Sequence, residues 1–347
     1  MKETKKYLQT RWDTEAGRKL LATILRLASR GMTKEISDIA GTADGKSDLR
    51  GIRTREFYDD GLISGPPTSN AGSLWEVRFN SAEFNHANFD YSELYKVTFN
   101  ECQFIDCSFR KTKVRATRSF ATNYQGVDFT EMDAGELAFG SFSKQKGTEY
   151  RDCDFSGAKI RRGSAYYTLF ERCGFRKVFL KDIHFDGSVL SDCKFSGHLE
   201  DVRIWGPITS ESEANPAPRN LVRSNPLRNV DFSECTAHGL EFKIDVDLSS
   251  VRLPSEDEHL FVWYPRRTYS RALELVKNEP WAGLKTNDGK GMSMTEFLQF
   301  LTTEELRGRE TLLHILNRKM WIKGDEDDFG RRWIDLVDRC SQLEKPS

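Results

Sequence analysis

Few residue patterns in this chain have the spacing that chemistry requires. Residues 41–47 read GTADGKS and contain the glycines and lysine of a phosphate-binding loop, but three residues separate the glycines where four are needed. Residues 287–291 read NDGKG and look like part of a calcium loop, yet Leu284 and Thr286 stand where liganding oxygens should begin. Neither segment predicts a nucleotide or metal site.

Histidine and cysteine spacing gives no better evidence of a reactive centre. The six histidines form no HExxH motif or other paired metal spacing, the chain contains no GxSxG nucleophile elbow, and its cysteines form no CxxC pair. We therefore predict that the chain is not an enzyme and has no catalytic residue, cofactor or metal. An enzyme would need a pocket between the C-terminal part and the rest of the chain, lined by polar groups with strongly shifted pKa values.

Basic side chains form two clusters that could contact a partner. With Trp205, at the start of a proline-containing stretch, they make up a candidate interaction surface: Lys111, Lys113, Arg115, Arg118, Arg161, Arg162, Arg172, Arg176, Lys177 and Trp205. The clusters are either a stripe for anions or nucleic acid, or a solvated face balanced by carboxylates. The second interpretation is favoured, because residues 77–205 contain 18 acidic and 19 basic side chains.

The elements that position these residues follow from a period of five. Large side chains recur at every fifth place, and only Ser119 breaks the apolar series: Phe79, Phe84, Phe89, Leu94, Phe99, Phe104, Phe109, Val114, Ser119, Tyr124, Phe129, Ala134 and Phe139. A small or slender residue precedes them by two places from Val77, before Phe79, to Val127, before Phe129. After a slip of one residue between Lys144 and Gly147, the pattern resumes at Tyr150 and continues to Phe195.

A five-residue period excludes the ordinary regular elements. In an α-helix, a step of five turns the side chain by about 140°, so the phenylalanines could not share one core. In a continuous strand, an odd step alternates faces. A three-residue extended piece followed by a two-residue corner puts both marked side chains inward, and its repetition predicts a stacked solenoid. Gly126, Gly157, Gly187 and Gly197 fall at the expected corners.

Units such as ANFDY at 87–91, CDFSG at 153–157 and CKFSG at 193–197 resemble those of pentapeptide-repeat proteins. The resemblance covers about residues 75–204 and returns at 230–233 and 246–253. It implies a right-handed, four-sided β-helix with twenty residues in each coil and about seven coils. The fold class expected is therefore mainly β, a pentapeptide-repeat solenoid with a helical N-terminal cap and a small α-helical C-terminal domain.

Three regions are expected along the chain. Residues 1–75 form a helical N-terminal cap, with Thr14 capping a helix from Glu15 to Arg30, and residues 48–52 resemble an isolated repeat unit. Residues 76–253 form the β-helix, interrupted by a loop at about 205–229 that contains four of the ten prolines. Residues 254–347 form the helical domain, within which we include the apolar run at 312–316.

Composition places the chain in a broad class. Six of the seven cysteines fall at the small inward position of the repeat, where a thiol packs as a small apolar group: Cys102, Cys107, Cys153, Cys173, Cys193 and Cys235. The formal net charge of −1 argues against attraction of the whole molecule to nucleic acid or to an anionic membrane. The start MKETKK leads into no signal-type apolar stretch, so we predict a cytoplasmic protein without a membrane partner.

We predict a non-enzymatic protein-binding or scaffold protein within a bacterial regulatory, stress or defence assembly. Some pentapeptide-repeat proteins bind type II topoisomerases by presenting a DNA-like acidic surface, so DNA gyrase or another topoisomerase is an alternative partner implied by the resemblance. A nucleic-acid binder using the basic faces is a second alternative. The apolar stripe from Phe329 to Leu343 is a candidate homodimer interface.

Overall fold

The computed structural model describes residues 5–54, 77–141, 143, 146–206, 227–243, 246–285, 292–307, 311–322 and 327–346. Helices lie at both ends of the described chain. They are α1 (Lys5–Thr10), α2 (Glu15–Ala28), α3 (Thr33–Ala40), α4 (Pro265–Val276), α5 (Met294–Arg307), α6 (Arg318–Trp321) and α7 (Asp328–Gln342).

The strands between these helices form three hydrogen-bonded sheets. A 3-stranded sheet contains β1 (Thr42–Ala43), β2 (Lys46–Asp48) and β5 (Ala87–Asn88). A 7-stranded sheet contains β4 (Glu83–Asn85), β8 (Gln103–Ile105), β11 (Asn123–Gln125), β13 (Glu149–Arg151), β15 (Leu169–Glu171), β17 (Val189–Ser191) and β19 (Leu227–Arg228). A 13-stranded sheet contains β3 (Val77–Asn80), β6 (Glu93–Tyr95), β7 (Val97–Asn100), β9 (Lys113–Arg115), β10 (Arg118–Phe120), β12 (Asp133–Ser141), β14 (Lys159–Tyr166), β16 (Gly174–Asp186), β18 (Lys194–Trp205), β20 (Val230–Lys243), β21 (Val251–Arg252), β22 (His259–Trp263) and β23 (Thr311–Asn317).

Successive coils stack through parallel strand pairs. Phe79 is in register with Phe99, and Phe84 with Phe104, so one coil takes 20 residues, or four units of five. The seven strands from β4 to β19 form one side of the coil at seven levels. The sequence-based fold class, a mainly β solenoid with helices at the termini, is confirmed.

The large residue of each unit lies inside the coil. Phe89, Phe109, Phe155 and Phe185 are each no more than 3% exposed. Phenylalanines at the same position in successive coils stack face to face, with ring centroids 4.7 Å apart for Phe155 and Phe175. The core is therefore a set of parallel columns, in which each ring packs on the equivalent ring of the next coil.

The corners have a left-handed backbone whether or not they carry glycine. Gly157 has φ of 72°, as expected for a corner glycine, but Lys111 has φ of 55° and Lys177 has φ of 53°. A side chain in this conformation costs roughly 1–2 kcal/mol relative to a glycine-like backbone. Hydrogen bonds between coils offset this cost. The backbone N–H of a corner residue donates to the next coil, as Lys111 N does to Thr130 O.

Two interruptions differ in size from the sequence prediction. Tyr150 follows Phe139 after a step of eleven residues, where a step of five is expected, so the break adds six residues rather than one. Within it, Ser143 and Lys146 form an antiparallel bridge. The second interruption is shorter than the loop predicted at 205–229, because β18 runs to Trp205 and β19 begins at Leu227. Residues 207–226 of that prediction lie outside the described residues.

The N-terminal helices cover the first coil. Thr14 caps α2 by accepting a hydrogen bond from Gly17 N, as predicted, and the helix ends at Ala28, two residues before the predicted end. The predicted isolated repeat unit is also present: β2 pairs in parallel with β5, and Leu49 N donates to Asn88 O at 2.9 Å. This unit supplies an outlying side to the first coil and satisfies backbone groups that would otherwise form an open edge.

The C-terminal part contains strands as well as helices. Strand β23, which includes the apolar run assigned above to the helical domain, pairs antiparallel with β20 on one side and with β22 on the other. Four of the seven residues of β23 are both apolar and buried, and they lie on both faces of the strand, which is typical of a strand covered on both faces. The helices α4, α5 and α7 pack over a second core that includes Tyr269, Leu298 and Trp333. The division of the chain at residues 75 and 254 stays a prediction.

Candidate interaction surface

The first basic cluster of the sequence analysis is largely neutralised by carboxylates of neighbouring coils. Lys111 lies 3.5 Å from Glu131, Lys113 lies 3.6 Å from Glu93, and Arg115 lies 3.1 Å from Asp133. In the first two pairs the residues occupy equivalent positions in successive coils, which stack about 4.8 Å apart, whereas Asp133 is in register with Lys113 and reaches Arg115 diagonally. The cluster is therefore a ladder of ion pairs across coils rather than a free basic stripe.

Part of the second cluster is paired in the same way. Arg161 Nη1 lies 3.2 Å from Asp133, Arg162 Nη1 lies 3.3 Å from Glu136, and Arg172 Nε lies 2.7 Å from Asp152. The hydrogen bond from Arg172 lowers the pKa of Asp152 below its ordinary value. These arginines are exposed but electrostatically balanced, which supports the interpretation of a solvated face.

Three predicted surface residues differ from the others. The side chains of Arg118, Arg176 and Lys177 are exposed and form no ion pair within the described part of the chain. Lys159, which was not among the predicted site residues, has the same character. Arg118 stands on a different side of the coil, whereas the other three lie close together around one corner of β14 and β16, as the strand register shows.

An outward-facing aromatic side chain adjoins these cations. Phe179 lies beside Lys159 and His198 in the strand register, and its ring stacks on His198 with centroids 5.4 Å apart and an interplanar angle of 11°. The guanidinium carbon of Arg161 lies 5.4 Å from the centroid of the same ring. Phe179 was not among the predicted surface residues, although a phenylalanine at the polar, outward place of a unit is a usable signal in the sequence.

Trp205 belongs to another group of side chains, beside the C-terminal strands. Its ring centroid lies 5.5 Å from Lys243 Nζ, and Lys243 forms an ion pair with Glu241 at 3.1 Å. Glu241 is also 3.4 Å from Arg203 and 4.0 Å from His314. The structure therefore separates Trp205 from the basic residues with which it was grouped.

Glu241, Arg203, Lys243 and His314, here called the Glu241 group, lie between the coil and the C-terminal strands. This is where the enzyme alternative would place a site. Burial opposes ionisation of Glu241, yet the nearby cations lower its pKa below the ordinary value. Burial lowers the pKa of His314 below its ordinary value, although the charge of Glu241 opposes that shift. A carboxylate with a lowered pKa is a weaker base than usual, so this arrangement favours charge compensation over proton transfer.

A groove of about 690 Å³ lies on the C-terminal helices. Its lining includes Trp281, Arg332, Asp335 and Arg339. Arg332 covers the Trp281 ring at 5.5 Å from its centroid and is paired with Asp328 at 2.8 Å. The groove does not involve the coil, so it differs in place from the pocket that the enzyme alternative requires.

The structure contradicts the predicted dimer interface on α7. Its apolar residues Phe329, Trp333 and Val337 are buried against other parts of the same chain, and Leu343 alone among the exposed large apolar residues belongs to the stripe. A helix with one apolar face packs that face inward when its own chain offers a core. A homodimer stays a prediction, but this stripe is not available to form it.

Other predictions concern segments away from this surface. In the segment compared with a phosphate-binding loop, residues 42–43 lie in β1 and residues 46–47 lie in β2, and these two strands pair antiparallel. The segment 287–291 lies outside the described residues. All seven cysteines are buried and unbridged, and burial raises the pKa of Cys107 to about 11. Within the described ranges, no group of histidine, cysteine and acidic residues is arranged to hold a metal ion, and no helix has the length and apolar character of a membrane span.

Comparison with known proteins identifies the repeat. A family model described as pentapeptide repeats matches residues 73–117 in 8 copies. No curated protein matches the chain.

Three solved structures with partial likeness to this chain have low sequence identity. HetL, a pentapeptide repeat protein involved in heterocyst differentiation regulation from the cyanobacterium Nostoc, is 13% identical over 60% of this chain and 88% of its own, with a TM-score of 0.21. A trypsin-treated variant of QnrB1, a plasmid-mediated fluoroquinolone resistance protein, is 12% identical over 60% of this chain and 92% of its own, with a TM-score of 0.23. Rfr23, a pentapeptide repeat protein from the cyanobacterium Cyanothece, is 12% identical over 43% of this chain and 88% of its own, with a TM-score of 0.18.

Scores this low add nothing to what the coordinates already show about the coil. The evidence for the family is instead the repeat match, together with a 20-residue register and inward columns of large side chains. On that evidence, the coil of this chain contains pentapeptide repeats, which the family model matches at residues 73–117.

Proposed function

We propose that this chain is a non-enzymatic binding protein that holds a protein partner against the side of its coil. The observation that carries the proposal is the closure of both coil ends. At one end α2 packs on β3, and Asn80 Nδ2 donates to Ser29 O at 3.4 Å. At the other end β23 pairs antiparallel with β20, and β22 follows β23.

Closed ends leave the sides of the solenoid for contact. Repeat proteins present extended rigid surfaces of this kind, and a rigid surface binds with little loss of conformational entropy. Such a role suits a bacterial regulatory, stress or defence assembly in the cytoplasm. The chemistry of the Glu241 group, which is arranged for charge compensation, supports a role in binding rather than catalysis.

The alternative of a topoisomerase partner bound by DNA mimicry needs a continuous acidic surface. Here Asp133, Glu131 and Asp152 are each paired with a cation of a neighbouring coil, which cancels most of their field. Gyrase binding therefore stays a prediction without support from the described charges. A supercoiling assay in which the purified chain inhibits gyrase would restore this alternative.

Cross-linking in cells of the native host tests the proposal directly. The full-length chain, expressed with an affinity tag and treated with a short lysine-reactive reagent, should yield a stoichiometric protein partner linked to residues between 77 and 205. Binding to a protein is the expected result because the coil sides are rigid and solvated. Recovery of the chain without a partner, or with links confined to the C-terminal helices, would contradict a role for the coil sides.

A further inference from the structure

One corner of the coil carries positive charge that its neighbours cannot neutralise. Lys177 is the corner residue, and the equivalent corner of the preceding coil is Gly157. In the next coil the strand register shifts by one residue, so Ser196 lies beside Lys177 and Gly197 lies opposite Val178. A Cβ atom on Gly197 would lie 2.4 Å from Val178 O, so close approach of the backbone requires glycine there. By contrast, the corner residue Lys111 has Glu131 in the next coil at 3.5 Å. Neither neighbouring coil therefore places a carboxylate beside Lys177 at this corner.

The two cations beside this corner lack a free partner for similar reasons. Arg176 lies between positions occupied by Ser156 and Ser196, and Ser196 Oγ accepts a hydrogen bond from Lys177 N at 2.9 Å. Lys159 is in register with Asp133, but Asp133 already pairs with Arg115 and Arg161, at 3.1 and 3.2 Å. We call Lys159, Arg176, Lys177 and Phe179 the basic corner.

Phe179 restricts what can bind at the basic corner. One face of its ring is stacked on His198, and Arg161 stands over the ring at 5.4 Å. A nucleic-acid base would need an open ring face for stacking, whereas the edge of this half-buried ring can contact an aliphatic side chain. Three uncompensated cations beside an apolar edge are complementary to carboxylates interspersed with aliphatic residues.

We infer that the basic corner binds an acidic, partly aliphatic segment of a protein partner. The inference rests on the proposed function and assigns to it a place and a partner chemistry. Carboxylates of the segment pair with Lys159, Arg176 and Lys177, and an aliphatic side chain packs on the edge of Phe179. The ion-paired ladders on the adjoining coils do not contribute, because their cations are already neutralised.

Binding of a labelled peptide tests this assignment. The probe is a twelve-residue peptide of alternating glutamate and leucine, followed by fluorescence anisotropy with the full-length chain at low ionic strength. Lys177→Glu should weaken binding by about tenfold or more, an effect that shrinks as salt is added. Glutamate fits this backbone, since Glu101, Glu131 and Glu136 adopt the same positive φ at other corners.

Arg118→Glu is the matched control, because Arg118 is also exposed and unpaired among the described residues but lies on another side of the coil. It makes the same change in net charge and should leave peptide binding within about twofold of the unmodified chain. Equal weakening by both variants would show that only net charge matters and would overturn the inference. So would binding unaffected by Lys177→Glu, or tighter binding of a twelve-residue oligothymidylate than of the peptide.

The cross-linking experiment separates this inference from the proposed function. A protein partner that still binds the coil sides after Lys177→Glu would overturn the basic corner and leave the proposed function standing. Peptide binding that depends on Lys177, combined with no partner in the host, would overturn the proposed function alone.

Discussion

Ser119 and Tyr124 form a hydrogen bond inside the coil, with 2.8 Å between their hydroxyl oxygens. Ser119 is the one place where the series of large inward side chains is broken, and both residues are no more than 4% exposed. A cavity of about 30 Å³ lies beside them, lined also by Phe99 and Leu137. The break in the period is thus filled by a polar pair rather than by a larger apolar side chain.

This pair predicts coupled effects on stability. Ser119→Ala and Tyr124→Phe should each lower the free energy of unfolding by about 1–2 kcal/mol, because each leaves the other hydroxyl buried without this partner. The double variant should lose about as much as one single variant, since no hydroxyl is then left over. Urea denaturation of the four proteins measures the cycle, and losses that simply add would contradict the coupling.

The left-handed corners predict opposite effects for one type of substitution. Ala116 is a corner residue with φ of 49°, whereas Ala134 is fully buried and points inward. Ala116→Gly should raise the free energy of unfolding by up to about 1 kcal/mol, because glycine removes the steric cost at positive φ. Ala134→Gly should lower it by about 1 kcal/mol or more, through lost packing and backbone entropy. Melting temperatures shifting the same way in both variants would contradict this account.

The repeat could be predicted from sequence because almost every unit has a large apolar residue at the same place. The large residues of successive coils pack on one another in columns, so the same residue type is required at every fifth place. A single exception, such as Ser119, therefore does not hide the period. The six extra residues after Phe139 were misjudged for the same reason. An insertion of six residues shifts the five-residue pattern by one place, as an insertion of one residue does. The spacing of the large residues alone therefore looks like a slip of one.

The C-terminal strands and the basic corner could not be predicted in the same way. The run Leu312 to Leu316 is short and apolar, and such a run is equally compatible with a buried helix and a buried strand until its neighbours are known. The charge state of a surface depends on the coil above and below it. Arg162 and Lys177 look alike in sequence, but only Arg162 has a glutamate opposite it.

The N-terminal cap predicts a loss of stability in acid. Burial by itself would raise the pKa of Asp48, but hydrogen bonds and charge from Arg50 and Arg11 lower it to about 2, with Arg11 Nη1 at 2.6 Å. Because the folded-state pKa lies below the unfolded value near 3.8, this stability is present above pH 4 and is lost as the pH falls towards 2.

Asp48→Asn should therefore cost about 1–2 kcal/mol at pH 7 and flatten the dependence of unfolding free energy on pH between 4 and 2. Glu15→Gln is the control, because Glu15 pairs with Lys19 on the exposed side of α2, where its side chain is 85% exposed. The control should change stability by less than about 0.5 kcal/mol. Denaturant titrations at several pH values measure both, and equal losses in the two variants would contradict the role of the buried pair.

The last strand of the large sheet predicts a specific role for a serine on α7. Ser341 Oγ accepts a hydrogen bond from Trp263 N at 2.7 Å and donates one to Phe261 O at 2.6 Å. Both partners belong to β22, the terminal strand of the sheet, so the hydroxyl supplies bonds that a further strand would otherwise provide.

Ser341→Ala should lower the free energy of unfolding by about 1–3 kcal/mol, because the buried N–H of Trp263 is left without an acceptor. Amide hydrogen exchange should also become faster at Trp263 than at residues of β18, which pair on both sides with other coils. Ser29→Ala, which removes an exposed hydroxyl at the end of α2, is the control and should leave exchange in β22 unchanged. Unaltered protection of Trp263 in Ser341→Ala would mean that α7 covers the strand edge by packing alone.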